Sequence, residues 1–245
     1  MTTNLSACEY WLLDTVISMY ISTADLLLDE YDGINVYPFV PIFSKDEIIN
    51  SFEKLFSIGY LLATRKHGNK TFVPKIQEIR EALSPKNNYK QRFFYLLTDS
   101  GGKKWESLSN PNWNSYTKFY QAGNTDNPDV FAGDVFGVNL TWIKKRLNSF
   151  LACPISPDGD DLFPIIINQQ YSTIVPYQAT YWKVFPKGHR VSFEYKFIAQ
   201  SAIDSDILIS YQKDMIGEVW ETYWYSHPYG EFHLEAKRVL RNMGY

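Results

Sequence analysis

The sequence of 245 residues predicts an α+β protein, and three observations carry that prediction. Residues 44–57 form a capped segment with apolar side chains at helical spacing. Two β-rich stretches, 60–65 and 92–97, flank a charged turn, and 191–197 alternates apolar and polar side chains like a half-buried strand. With 45% hydrophobic and 17% aromatic residues, the chain is able to bury a core in one large or two small domains.

The first hundred residues predict alternating helices and strands. Apolar spacing favours a helix within 8–21 and a second helix from Ala24 to Tyr31, capped by Ser22 or Thr23. Ser44 and Glu47 have the spacing of a capping box, which begins the helix that Gly59 ends.

The segment after Gly59 predicts a β-ribbon with an insertion. Residues 60–65 suit a strand, 66–70 suit a turn, and 71–73 suit a short strand that pairs back. A short helix with Ile76, Ile79 and Leu83 on its buried side follows. The strand at 92–97 then leads into a helix that carries Trp105.

Two motifs in this region resemble those of a known family. Leu-Phe-Ser-Ile-Gly-Tyr-Leu at 55–61 and Tyr-Leu-Leu-Thr-Asp-Ser-Gly-Gly at 95–102 resemble the winged helix of PadR- and MarR-type regulators, including an uncharacterised bacterial branch. The resemblance covers about residues 8–109, and it implies a winged helix whose wing is enlarged by a helical insertion at about 75–85. In those families the helix before the first motif enters the major groove of DNA.

The remaining chain predicts a second domain. Asn, Gly, Asp and Pro concentrate in 110–134, which predicts a linker between a winged-helix-like domain, 1–109, and an α+β domain, 135–245. The second domain is expected to hold a small antiparallel sheet with flanking helices. The expected elements are a helix at 139–151, strands at 164–175, 178–184 and 191–197, and a helix at 231–243, with 199–221 ambiguous between helix and strand.

Charge and cysteine content limit the function classes. The net charge of −3 gives no bulk electrostatic case for nucleic acid, although residues 44–110 carry twelve bases against seven acids. A solvated wing that carries lysines explains that local excess better than a nucleic-acid surface does. Cys8 and Cys153 are too few for a disulfide scaffold, and the sequence predicts neither a signal peptide nor a membrane-spanning stretch. These features predict a cytoplasmic protein.

Catalytic and cofactor-binding motifs that require several residues at fixed spacing are absent from the sequence. It contains no Gly-x-Ser-x-Gly, His-Glu-x-x-His, Gly-x-Gly-x-x-Gly or Gly-x-x-x-x-Gly-Lys. We therefore predict no catalytic residue, no metal and no cofactor. The densest cluster of titratable residues consists of Glu221, His227 and His233, which lie among aromatic residues. This cluster leaves an enzyme or metalloprotein as a third hypothesis.

The leading prediction is a non-enzymatic protein that binds an unidentified protein partner, of a class that includes immunity-type proteins. Its candidate contacts lie around one tight connection and are Trp182, Lys183, His189 and Arg190. A hairpin whose aromatic side chains face the core explains the same residues. The alternative function is a DNA-binding regulator, with contacts from Lys45, Asn50, Lys54, Arg65, Lys66, His67 and Lys70.

Overall fold

Two units make up the fold, and each is assembled from separate stretches of chain. The computed structural model describes residues 4–17, 20–23, 26, 43–65, 70–84, 92–153, 162–203 and 238–244. The first unit comprises Met1–Pro111, Thr180–Lys183 and Phe232–Tyr245, and the second comprises Asn112–Ala179 and Val184–Glu231. The mixed α+β class predicted from the sequence is confirmed, with antiparallel sheets in both units.

Helices and short strands alternate in the first unit. In chain order they are α1 (Ala7–Asp14), β1 (Ile21–Ser22), α2 (Lys45–Ser57), β2 (Leu61–Thr64), β3 (Thr71–Phe72), α3 (Ile76–Ala82), β4 (Phe94–Leu97) and α4 (Asp99–Ser109). Residues 238–242 add a further helical turn. The four strands form one antiparallel sheet in the order β1-β4-β2-β3.

The core of the first unit lies between α1, α2 and this sheet. α2 buries an apolar stripe, and Phe52 meets Tyr95 of β4 edge to face with ring centroids 4.9 Å apart. The predicted capping box is present, because the Ser44 side chain accepts from the Glu47 amide while Glu47 accepts from the Ser44 amide. Gly59 then ends the helix with a φ of +73°, a conformation that glycine adopts without strain.

The second unit is built around a longer sheet and one helix. Its elements are β5 (Thr117–Asn124), β6 (Phe131–Gly137), α5 (Leu140–Leu151), β7 (Leu162–Ile174), β8 (Tyr177–Gln178), β9 (Val184–Phe185), β10 (Gly188–Ala199) and a 3-10 turn (Gln200–Ala202). The main sheet is antiparallel in the order β5-β6-β10-β7, and β8 pairs with β9 separately.

One face of the main sheet is covered by α5. The buried residues there are Val135, Ile143, Leu147, Val191, Phe193 and Tyr195. We call this the inner face of the sheet and the opposite side the outer face. The predicted helix at 139–151 and the predicted strands at 164–175 and 191–197 are confirmed within this unit.

Three predictions from the sequence are corrected by the structure. Residues 110–134 are not a linker, because they contain β5 and the start of β6. Their turn-forming residues concentrate on either side of β5, and β5 itself carries Phe119 and Tyr120. Ser22 lies in β1 rather than at a helix start, and the predicted helix at 24–31 lies outside the described residues apart from Leu26. The predicted strand at 178–184 is not continuous, because residues 179–183 form a loop between β8 and β9.

Candidate partner-binding face

Helix α2 offers few free cations on its solvent side. Lys45 and Asn50 are exposed, but Lys54 Nζ lies 2.7 Å from Glu9 Oε1, and Glu9 is buried. The other exposed charged residues of this helix are Asp46, Glu47 and Glu53. The exposed charge of α2 is therefore predominantly negative, which opposes contact with phosphates.

Arg65, one of the predicted DNA contacts after α2, is likewise paired with a carboxylate. Arg65 Nη2 lies 2.9 Å from Glu78 Oε1, and its guanidinium stacks over Phe72 at 5.1 Å from the ring centroid. Lys70 is exposed, while Lys66 and His67 lie outside the described residues. The candidate DNA contacts thus include two cations that are already paired with carboxylates.

Trp182 and Lys183 serve the packing of the first unit. Trp182 Nε1 donates to the Ile17 carbonyl at 2.8 Å, and its ring meets Trp105 edge to face at 6.3 Å between centroids. Lys183 pairs with Glu106 at 2.5 Å. Both side chains are only partly exposed, and their internal contacts match the alternative explanation in which the aromatic residues of this connection face a core.

His189 and Arg190 are neighbours on β10 but do not share a surface. Successive side chains of a strand point to opposite faces, so that His189 lies on the inner side with Val191 and Arg190 lies on the outer face. Among the four predicted partner contacts, Arg190 is the one that the structure places on the outer face of the main sheet.

Arg190 is held by two kinds of contact on the outer face. Its Nε and Nη2 atoms donate to Asp134 Oδ1 and Oδ2 at 2.8 and 2.9 Å, a bidentate geometry. The guanidinium also lies 5.5 Å from the ring centroid of Phe136, and Phe136 meets Tyr120 edge to face at 5.7 Å. We call Tyr120, Asp134, Phe136 and Arg190 the Arg190 cluster.

The strand register explains why these four residues meet. Phe136 lies directly opposite Arg190, Tyr120 lies opposite Asp134, and Asp134 lies opposite Ser192. Residues opposite or diagonal to each other on one face are within reach of long side chains. Three neighbouring strands therefore deliver one arginine, one carboxylate and two aromatic rings to one patch.

The electrostatics of Asp134 follow from this geometry. Partial burial acts to raise the pKa of its carboxyl group, but hydrogen bonds from Arg190 and Ser192 and the charge of Arg190 outweigh burial. The pKa of Asp134 therefore lies below its ordinary value, and the hydrogen bond to Asp134 raises the pKa of Arg190. The pair stays charged across the neutral range, which fixes the guanidinium in place.

An open depression of about 350 Å³ extends from the Arg190 cluster toward β7. Its polar lining includes Asp134, Asn168, Gln170, Arg190, Ser192 and Glu194. Amide, hydroxyl, carboxylate and guanidinium groups thus alternate over a shallow surface, and Tyr120 stands beside it with 54% of its surface exposed. A shallow patch with an anchored arginine and aromatic rings has the composition of protein-binding surfaces.

No group of three or more His, Cys, Asp or Glu side chains suited to a metal occurs within the described part of the chain. Glu221, His227 and His233 lie outside the described residues. Burial raises the pKa of the Cys8 thiol to about 11, so that this thiol is protonated at neutral pH.

Comparison with protein families, curated proteins and solved structures returned no match for the chain. Among the helices that the described ranges contain, none combines the length and the apolar character needed to cross a bilayer.

Sequence reasoning missed three members of the Arg190 cluster. Tyr120 and Asp134 fell within the stretch predicted as a linker, and Phe136 lies just beyond it. The available signal was the alternation in 131–137, where glycine and valine on the inner face alternate with Ala132, Asp134 and Phe136. That period-two pattern was masked by the turn-forming residues that precede it.

Proposed function

We propose that this chain is a non-enzymatic, cytoplasmic protein that binds a protein partner through the Arg190 cluster and the depression beside it. The observation that carries the proposal is the fixed arginine on the outer face, held by a bidentate carboxylate and an aromatic ring. Arginine, tyrosine and other aromatic residues supply most of the binding energy at protein interfaces. A side chain that is already ordered loses little conformational entropy on binding.

We propose further that the first unit is a winged helix that serves as a scaffold. Two features support this: α2 precedes β2, and β4 returns between β1 and β2 in the sheet. The insertion of α3 between β3 and β4 enlarges the connection that would form the wing. The predominantly acidic exposed face of α2 and the pairing of Lys54 and Arg65 argue against its use on DNA.

The test is capture of a partner from the native lysate by the immobilised full chain. Tyr120→Ala and Arg190→Ala are expected to weaken binding of the captured protein at least about tenfold, since each removes an anchor. Lys144→Ala is the matched control, because it removes an exposed cation from α5, on the other side of the sheet. Far-UV circular dichroism verifies that each variant is folded.

Two outcomes would contradict the proposal. Equal capture by the wild type, the two outer-face variants and the control would remove the Arg190 cluster as the binding surface. Retardation of DNA in a gel that weakens steeply with salt and on Lys45→Ala would favour the regulator instead.

A further inference from the structure

One of the two edge strands of the main sheet is β7, which has 13 residues. Among the described residues, β7 pairs with β10 alone. Beyond a register shift opposite Glu194 and Tyr195, the pairing runs without interruption from Asn168 to Ile174. Residues 167–173 are all exposed, on both faces of the sheet. A regular edge of this length presents a row of backbone donors and acceptors to another strand.

This edge lacks the charges that commonly protect edge strands. The stretch 162–178 contains no Asp, Glu, Lys or Arg. By contrast, the neighbouring β10 carries Arg190, Glu194 and Lys196, and β5 at the other edge carries Lys118 and a register shift. Ile167 and Tyr171 are 46% and 51% exposed on β7. Charged side chains and irregular pairing are the usual obstacles to edge-to-edge association, and 168–174 has neither.

We propose that β7 pairs with β7 of a second copy of this chain, antiparallel and about a two-fold axis at Gln170. A two-fold pair brings each residue near the axis close to its own copy, so that any charge there would meet the same charge. An uncharged strand avoids this repulsion, and this favours a second copy as the occupant. The axis falls at Gln170 because this residue is the midpoint of the exposed run 167–173.

The register of the pair follows from the axis. Gln170 lies opposite its own copy, Gln169 lies opposite Tyr171, and Asn168 lies opposite Ser172. Residues opposite each other then share a face, as a continuous sheet requires. The result is one eight-stranded sheet made from two four-stranded sheets.

The dimer goes beyond the proposed function and rests on a different observation. It nevertheless affects how the proposed partner-binding surfaces are arranged. A two-fold axis perpendicular to the sheet leaves both outer faces on the same side. The two Arg190 side chains are then separated by three strand spacings and about four residues along the strands, or about 20 Å. Two partner-binding patches would thus lie side by side on one surface.

Sedimentation velocity of the purified full chain from about 1 µM to about 100 µM tests the proposal, because a short strand interface is expected to dissociate on dilution. We expect a monomer–dimer equilibrium for the wild type. Gln170→Lys and Gln170→Glu are each expected to weaken dimerisation at least about tenfold through like charges at the axis. An equimolar mixture of the two variants is expected to restore the dimer, since opposite charges then meet.

Thr141→Lys is the matched control, because it adds the same charge at an exposed position of α5. It is expected to dimerise like the wild type, as is Tyr120→Ala. A wild type that stays monomeric throughout, Gln170 variants that dimerise normally, or a mixture that stays monomeric would each overturn the proposal. If the wild type is monomeric and still captures a partner, the dimer is refuted and the proposed function stands. If the wild type dimerises and captures no partner, the dimer stands and the proposed function is refuted.

Discussion

Replacing Gly102 by alanine tests whether Trp182 is fixed against α4. A Cβ atom at this position would lie 2.2 Å from Trp182 Cε3 and 2.4 Å from Cζ3, far inside van der Waals contact with a rigid ring. The ring has little room to retreat, because its Nε1 is bonded to the Ile17 carbonyl and it packs on Trp105. The substitution therefore forces either the helix or the indole to move.

The magnitude follows from two opposing effects. Alanine is favoured over glycine within a helix by about 1 kcal/mol, whereas overpacking costs about 1–3 kcal/mol. Because the contact is severe, we take the upper end and expect Gly102→Ala to lower the unfolding free energy of the first unit by about 2 kcal/mol. In a Trp182→Ala background the clash is gone, and the same change is expected to stabilise by about 1 kcal/mol.

Urea unfolding followed by far-UV circular dichroism on the four chains of this double-mutant cycle measures the coupling. The expected coupling is about 3 kcal/mol, well above the non-additivity of independent sites. Ser107→Ala, at an exposed position of the same helix, is the control and should have the same small effect in both backgrounds. If Gly102→Ala has one and the same effect with and without Trp182, the packing described for this segment is refuted.

Three further perturbations follow from single contacts. Tyr181→Phe removes a hydroxyl that accepts from the Leu97 amide at 2.6 Å and donates to the Val16 carbonyl at 2.6 Å. Urea unfolding should show that the free energy of unfolding falls by about 1–3 kcal/mol. Thr98→Ala removes the N-cap of α4, whose hydroxyl accepts from the third amide of the helix at 3.0 Å, and should cost about 1 kcal/mol by the same assay. Because the pKa of Asp134 is lowered in the folded state, its stabilisation is present above the ordinary carboxyl value of 3.8 and is lost as the pH falls below it. The stability difference between wild type and Asp134→Asn should therefore shrink between pH 5 and pH 2, roughly, and a difference that grows would contradict the ion pair.

Local signals explain why much of the first unit could be predicted from the sequence. The box formed by Ser44 and Glu47 fixes where α2 begins, and Gly59 fixes where it ends, through contacts within a few residues. The strands around 61–64 and 94–97 were predicted from the same kind of short-range pattern. By contrast, β1 has only two residues and exists because it pairs with β4, about seventy residues away in the chain, so that no local pattern identifies it.

Composition misled the prediction where turns and strands are closely spaced. Asn, Gly, Asp and Pro between 110 and 134 are typical of a linker, yet they belong to turns on either side of β5. Because of this error, three residues of the Arg190 cluster were not predicted. Arg190 was identified from the tight connection that precedes the predicted strand 191–197. Asp134, Phe136 and Tyr120 are brought to it by the register of β6 and β5, and register depends on pairing between distant segments.

The pair Gly101-Gly102 shows how a sequence feature acquires its meaning from tertiary contacts. Glycine is a poor residue inside a helix, so that two in succession at the start of α4 call for a reason other than propensity. A Cβ on Gly101 would lie 2.1 Å from the Tyr60 carbonyl oxygen, and a Cβ on Gly102 would enter the Trp182 ring. One glycine admits the Tyr60 carbonyl, about forty residues earlier in the chain, and the other admits a side chain eighty residues later. Close packing therefore accounts for both glycines, and the contact with α4 engages the Trp182 ring within the first unit.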